Sequence, residues 1–309
     1  MAASLRDLRR KIKSISGTKK LTQAMQMVSA SKMQKATKLA QASVSYTKLA
    51  WEIIKNIRTK TDVSNHPLLS NRPVKKIALI LFTTNKGLCG GLNTQIFKKL
   101  THFINERKIN NSDIKLITVG NKGKNFAARF FKEMYFADFS YSDSTVNFND
   151  ITAISKLVID GYRNKDYDAV YIIYNQFIST INQKAVIRQI LPVPSLLEAE
   201  EWQKNEKIIE QTETRQTDKI SIKKEYVFEP NINFILNNII PAIINTQIYQ
   251  ILLDANASEH SARMIAMKNA TDNASNLIDD LSLTYNSMRQ AAITNEINEI
   301  ATGAEALRS

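Results

Sequence analysis

The sequence predicts two long terminal helices paired as an antiparallel coiled coil, with an α/β domain held between them. Three observations carry that expectation. No proline occurs before Pro67 or after Pro241, and Gly17 and Gly303 are the only glycines of the two terminal arms. Both residue types interrupt helices, so their scarcity leaves room for long ones. Each arm carries apolar residues at heptad spacing, and the middle of the chain alternates strand-like and helix-like segments.

The N-terminal arm, 1–60, places Leu5, Leu8, Ile12 and Ile15 on one helix stripe and Leu39, Ala42, Tyr46, Leu49 and Ile53 on another. Between Gly17 and Ser43 the seam is weak, because Met, Ala, Ser, Thr, Gln and Lys dominate. Methionine packs adaptably and small residues leave a smooth surface. A pair of helices burying so little per turn needs surrounding protein for full order.

The central region, 74–194, reads as strand at Val74–Phe82, helix at Asn93–Phe103 and strand at Ile114–Val119. Helices at Gly123–Phe131 and Phe148–Tyr162 follow, then strands at Ala169–Tyr174 and Val186–Leu191. Strand and helix in turn predict a Rossmann-like α/β domain with a mostly parallel sheet. Residues 195–230 form a polar linker, and the charged, glycine-free stretch 195–226 reads as a surface excursion.

In the C-terminal arm, 231–309, Met267, Thr271, Ala274, Ile278, Leu281, Tyr285, Met288 and Ala292 alternate by four and three. That is a coiled-coil seam. Ile244, Ile248, Ile251, Ala255, Ser258, Ala262 and Ile265 keep the alternation in another phase, and Ile293, Ile297, Ile300, Ala304 and Leu307 shift it again. Such shifts alter a supercoil locally. Helical throughout, the arm would be on the order of 115 Å long.

The net charge of +13 is concentrated at one end. Residues 1–60 hold 14 Lys/Arg against Asp7 and Glu52, whereas 231–309 hold four against eight Asp/Glu. A basic arm suggests nucleic acid, an anionic membrane or an acidic protein surface, and charge alone does not choose among them; the acidic arm at the far end favours pairing within the molecule as well. Nucleic acid is the lesser reading, since residues 1–45 offer no aromatic side chain for stacking and the lysines are spread around the helix. The longest apolar run, Ile77–Phe82, is far short of a membrane span. The first residues have no apolar stretch behind their charges, so neither a secretory signal nor an organelle presequence is expected.

Cys89 is the single cysteine, which excludes an internal disulfide and a cysteine metal cluster. His66, His102 and His260 are too far apart for a short metal motif, and no metal or other cofactor is expected. The loop Asn85–Asn93 follows the first strand, where a nucleotide-binding loop would sit, yet its glycines match neither phosphate-cradling spacing. Gly120–Asn125 also falls short. A tight turn or a partner-docking loop is the expected role, with Cys89 as its small residue. Asp279 and Asp280 point about 100° apart on a helix and read as a solvated face. No Ser/His/Asp, Cys/His or paired-carboxylate set is supported, so no catalytic residue is assigned. A nucleotide-dependent α/β enzyme and a nucleic-acid-binding coiled coil are the alternatives; neither accounts for both arms.

Three stretches carry a family resemblance. They are Thr18–Met33 (TKKLTQAMQMVSASKM), with Gln23 where a lysine is usual; the loop Lys86–Asn93 (KGLCGGLN); and Ser258–Ala274 (SEHSARMIAMKNATDNA), continued by Arg289–Thr294 (RQAAIT). Together they resemble the gamma subunit of the F-type rotary ATP synthase, along the chain apart from 195–226. The resemblance implies a non-catalytic central stalk. Its coiled coil would lie inside a ring of alpha and beta subunits, its α/β domain would sit outside with the epsilon subunit, and its foot would contact the membrane c-ring. By resemblance, Arg263, Arg289, Gln290 and Thr294 match positions that contact beta subunits, with Met25 opposite them on the N-terminal helix. A bacterial enzyme on the cytoplasmic face of the inner membrane is the expected setting, the chloroplast version's redox cysteines being absent.

Overall fold

A computed structural model of the chain describes residues 4–60, 66–70, 72–107, 109–141, 148–193 and 232–306, with side chains left out at 43–60, 232–233 and 305–306. The expected excursion 195–226, Leu307 and the side chains of Tyr46, Leu49 and Ile53 therefore lie outside the described residues. The elements in order are α1 (Leu5–Lys60), β1 (Ile77–Phe82), α2 (Leu92–Arg107), β2 (Ile114–Val119), α3 (Asn121–Phe130), β3 (Tyr135–Phe139), α4 (Asn149–Arg163), β4 (Ala169–Phe177), β5 (Gln183–Leu191) and α5 (Ile232–Ala306). Two compact units divide them, one of residues 30–262 and one of 1–29 with 263–309.

The larger unit is built on a five-stranded sheet of order β3-β2-β1-β4-β5. The first four strands are parallel and β5 returns antiparallel to β4. Both sheet faces are covered. On one face α2 presents Leu92, Ile96, Leu100, Phe103 and Ile104 at helical spacing to Leu79, Leu81 and Ile173. On the other, Ile151, Ile154 and Val158 of α4 join Leu236, Ile240, Ile244 and Ile248 of α5 over Ile80, Phe82 and Ile172. Central strands covered twice read as uninterrupted apolar runs, as β1 does with every residue buried.

Two details differ from the sequence reading. Strand β3 was not expected; it is a sheet edge whose residues alternate between half-buried and exposed, so it lacks the apolar density of its neighbours. The segment from Ile244 to Ile265 is expected as a phase-shifted seam. In the structure its first part belongs to a core helix: Ile243, Ile244, Thr246, Gln247, Ile248 and Ile251 are all buried, which no single stripe allows. The phase changes there because the sheet, and not one partner helix, sets which residues are covered.

At the C-terminal end of β1, Thr83 ties several segments together. Its hydroxyl donates to the Val119 carbonyl at 3.1 Å and accepts the Gly123 N–H at 2.8 Å. Gly120 has φ of 101°, a left-handed value that only glycine adopts readily, and a Cβ there would collide with the Thr83 carbonyl. At the opposite end of the sheet, Asp168 accepts the N–H groups of Lys75 and Lys76, each at 3.0 Å, and pairs with Arg72 at 3.1 Å. Arg72 also donates to the carbonyls of Tyr162 and Tyr167 and lies over the Tyr162 ring.

The smaller unit pairs α1 with α5. Ser4 caps α1, its hydroxyl accepting the Asp7 N–H at 3.2 Å. Along α5 the seam expected at Met267, Thr271, Ala274, Ile278, Leu281, Tyr285, Met288 and Ala292 is buried or half-buried, while most residues between are exposed. Along α1 the seam continues through the stretch that looked weak: Leu8, Ile12, Ile15, Lys19, Thr22, Gln26 and Ser29 keep the four-three alternation with polar side chains in apolar places. Thr22 and Thr271 meet across it, hydroxyl to hydroxyl at 2.7 Å.

Candidate partner-binding surface

The glycine loop is held by its own side chains. Asn93 closes it from within, donating to the Thr84 hydroxyl at 2.8 Å and accepting the Thr84 N–H at 3.3 Å, while Thr84 donates to the Lys86 carbonyl at 2.7 Å. Cys89 is buried beneath the loop, the place of a small packing residue. An open groove of about 470 Å³ lies elsewhere, between β3 and α4, lined by Phe136, Phe139, Lys156, Leu157, Asp160 and Tyr167 among others, and includes no residue of the loop. Among the described residues no cluster of His, Cys, Asp or Glu could hold a metal ion. None of their helices is long and apolar enough to cross a membrane.

The paired arms offer a surface instead. Because the seam is a single stripe on each helix, large apolar side chains remain on the outside: Leu21, Met27 and Val28 on α1, Leu277 and Leu283 on α5. The third apolar phase of α5 is not a seam. Ile293, Ile297 and Ile300 are 47%, 60% and 72% exposed. The register explains it, since an antiparallel pair through Thr22 and Thr271 brings the start of α1 level with about residue 289 of α5. Beyond that level α5 has outrun its partner helix.

The five expected contact residues all belong to this unit but do not form one site. Met25 is half-buried and falls level with about residue 268, hence roughly 8 Å along the axis from Arg263 and roughly 32 Å from Arg289. It is therefore not opposite Arg289, Gln290 and Thr294, as expected; antiparallel pairing carries those residues to the other end. Arg263 is buried at 7% exposure. Arg289, Gln290 and Thr294 are exposed, and the Thr294 hydroxyl donates back to the Gln290 carbonyl at 2.9 Å. Charge separates the two helices: Arg6, Arg9, Arg10, Lys11, Lys13 and Lys20 are exposed on α1, and Asp272, Asp279, Asp280, Glu296 and Glu299 on α5. The surface is thus long, mixed in charge and dotted with apolar side chains, suited to binding protein.

Comparison with known proteins agrees with that character. A family model described as ATP synthase matches residues 4–307. The ATP synthase gamma chain of Glaesserella parasuis serovar 5 is 38% identical over 305 residues, covering 99% of this chain and all of that one. The ATP synthase gamma chain of Legionella pneumophila strain Corby is 36% identical over the same length, with the same coverage. Among solved structures, a chain from the central stalk and c-ring of the Tetrahymena thermophila mitochondrial ATP synthase superposes with a TM-score of 0.58 at 25% identity, covering 81% of this chain and 99% of that one. A rotor chain of the Euglena gracilis mitochondrial ATP synthase, 17% identical with a TM-score of 0.58, shares the fold.

Proposed function

The chain belongs to the ATP synthase gamma-chain family, and from that premise we propose how its surface is used. As a family member it is the non-catalytic rotor of the central stalk, linking ion flow through the membrane sector to ATP turnover in the head. In our reading the paired arms turn inside a ring of alpha and beta subunits, and the sheet domain stays outside with an epsilon subunit above a c-ring. The complex sits on the cytoplasmic face of a bacterial inner membrane, and this chain is a peripheral part of it.

The observation that carries the reading is the one-sided burial of α5 from Met267 to Ala292, continued by an uncovered stretch that carries the exposed side chains of Ile293, Ile297 and Ile300. A seam one stripe wide holds two helices together yet leaves their outer faces for another protein to cover. Those faces must release each contact as the shaft turns, so moderate apolar area and scattered charge suit them better than a deep interlocking pocket. Arg263, Arg289, Gln290, Thr294 and Met25 are proposed contacts with the beta subunits, at two levels along the shaft.

Co-expression with alpha and beta subunits tests this. The chain should co-purify in one complex with them, and a probe fixed to the sheet domain of a surface-held head should turn in steps during ATP hydrolysis. A chain that purifies alone, or a head that hydrolyses ATP equally fast without it, would contradict the proposal.

A further inference from the structure

We propose that Ser258, Glu259 and Ser261 form a polar joint that locks α5 to the sheet against twisting, and that this joint positions the shaft for torque transfer. The inference rests on the rotor reading and adds to it where the load passes between sheet and helix.

The three residues are consecutive or nearly so on α5, all buried, and each reaches a different part of the sheet. The Ser258 hydroxyl donates to the Asn175 carbonyl of β4 at 2.9 Å. The Ser261 hydroxyl donates to the Thr180 carbonyl in the β4–β5 turn at 2.5 Å and lies 3.4 Å from Gln183 Nε2. Glu259, 1% exposed, takes the Tyr141 hydroxyl at 3.0 Å on Oε2. That same hydroxyl is 3.2 Å from the Thr83 carbonyl at the end of β1. Tyr141 is itself held by Asn85, whose side-chain amide donates to its carbonyl at 2.9 Å and accepts the Asn121 N–H at 3.2 Å. Three side chains within four residues thus anchor to β4, to the β4–β5 turn and to Tyr141 just beyond β3.

Position and direction give the cluster its meaning. Up to Leu253 the contacts of α5 with the sheet are mainly apolar, and apolar burial has no preferred direction. Turning a helix on such a face drags its side chains against a close-packed core, a resistance that depends on packing and not on a set angle. Hydrogen bonds are directional and weaken steeply off line. At about 100° per residue the three side chains cover roughly 160° of the helix circumference, so rotation in either sense stretches at least one of them. The larger unit ends at Ala262, one residue beyond the joint, and α5 continues from there as half of the coiled coil.

The test uses the assembled ATPase with its head fixed and the shaft arrested by a non-hydrolysable nucleotide, reading the angular fluctuations of a bead on the sheet domain. Tyr141→Phe with Ser261→Ala removes two tethers, keeps the ring and nearly all the packing, and should lower torsional stiffness roughly twofold or more. Unloaded ATP hydrolysis should stay close to wild type. Tyr141→Phe alone should soften the shaft less, and serves if the double variant assembles poorly. Ile154→Val, which trims the core on the same sheet face, should reduce thermal stability without changing stiffness. Unchanged stiffness in the Tyr141 and Ser261 variants, or an equal softening in Ile154→Val, overturns the joint. A complex that hydrolyses ATP but never rotates would instead count against the rotor reading.

Discussion

Helix α5 lives in two environments. From Leu236 to Ser261 it is a core element, closed in on most sides by the sheet and α4, whereas from Met267 onward only one stripe is covered and the rest faces outward. The amino acids differ accordingly. The first part is dense in isoleucine and leucine, and the second intersperses Thr, Ala, Asn and Asp with isolated apolar residues. One unbroken helix thus joins a region whose stability is internal to a region whose surface awaits a partner, and mutations in the two should report on different properties.

The largest expected effect lies in the covered part. Ile248→Ala, at a fully buried position in the main core, should cost about 2–5 kcal/mol in urea unfolding of the isolated chain, while Leu283→Ala, 71% exposed, should change stability by about 0.5 kcal/mol or less. Comparable losses at both sites would erase the distinction between the regions.

The sheet domain should also show an acid dependence. Burial alone would raise the Asp168 carboxyl, but the N–H groups of Lys76 and Lys75 and the charge of Arg72 outweigh it and hold the group below the usual carboxylate range. A depressed folded-state value contributes stability above the ordinary value of about 3.9, and the contribution is lost as pH falls through the depressed one. Asp168→Asn should therefore cost about 1–3 kcal/mol at pH 7 and progressively less as the pH is taken below about 4. A gap between wild type and variant that is the same at pH 7 and pH 3 would refute the assignment.

The smallest effect sharpens the comparison from the side of the arms. Gly17 lies in the outer part of α1 with open space around its Cα. Where packing is thin, helix propensity decides, so Gly17→Ala should stabilise the isolated chain by about 0.5–1 kcal/mol. Destabilisation would mean that the position is packed more tightly than its surroundings indicate.

The sequence made the two regimes visible unevenly. Heptad spacing from Met267 to Ala292 translated directly into burial, because one partner helix covers one stripe. The strands β1, β2 and β4 were legible because they lie in the sheet interior and are buried, and β5, an edge strand, because Val186, Ile187, Ile190 and Leu191 still give it apolar density. Strand β3 was missed because an edge strand needs little apolar density, although Tyr135, Ala137 and Phe139 alternate as a half-buried strand should. The middle of the α1 seam was underestimated since Lys19, Thr22, Gln26 and Ser29 fill seam positions without apolar character. Met25 was matched to the wrong level because resemblance carries residue identity but not register, which the Thr22–Thr271 pair supplies. Ser258–Ser261 opens the family-like run Ser258–Ala274, but its role as a joint was not legible, because its partners in β4, the β4–β5 turn and the segment after β3 are brought together only by the fold.

The central claim is that the exposed part of α5 acts on a surrounding protein and not on its own fold, and the most direct measurement replaces Arg289 and Gln290 by alanine. Both are exposed on a helix face clear of the seam. Hydrogen bonds to a charged group contribute about 1.5–3 kcal/mol each, so the loss of a shared set should slow synthesis and hydrolysis by the assembled complex about tenfold or more. Unfolding of the isolated chain should shift by less than about 0.5 kcal/mol. The claim predicts slow turnover with an unaltered fold and intact assembly; full turnover, or a chain destabilised in isolation, would contradict it.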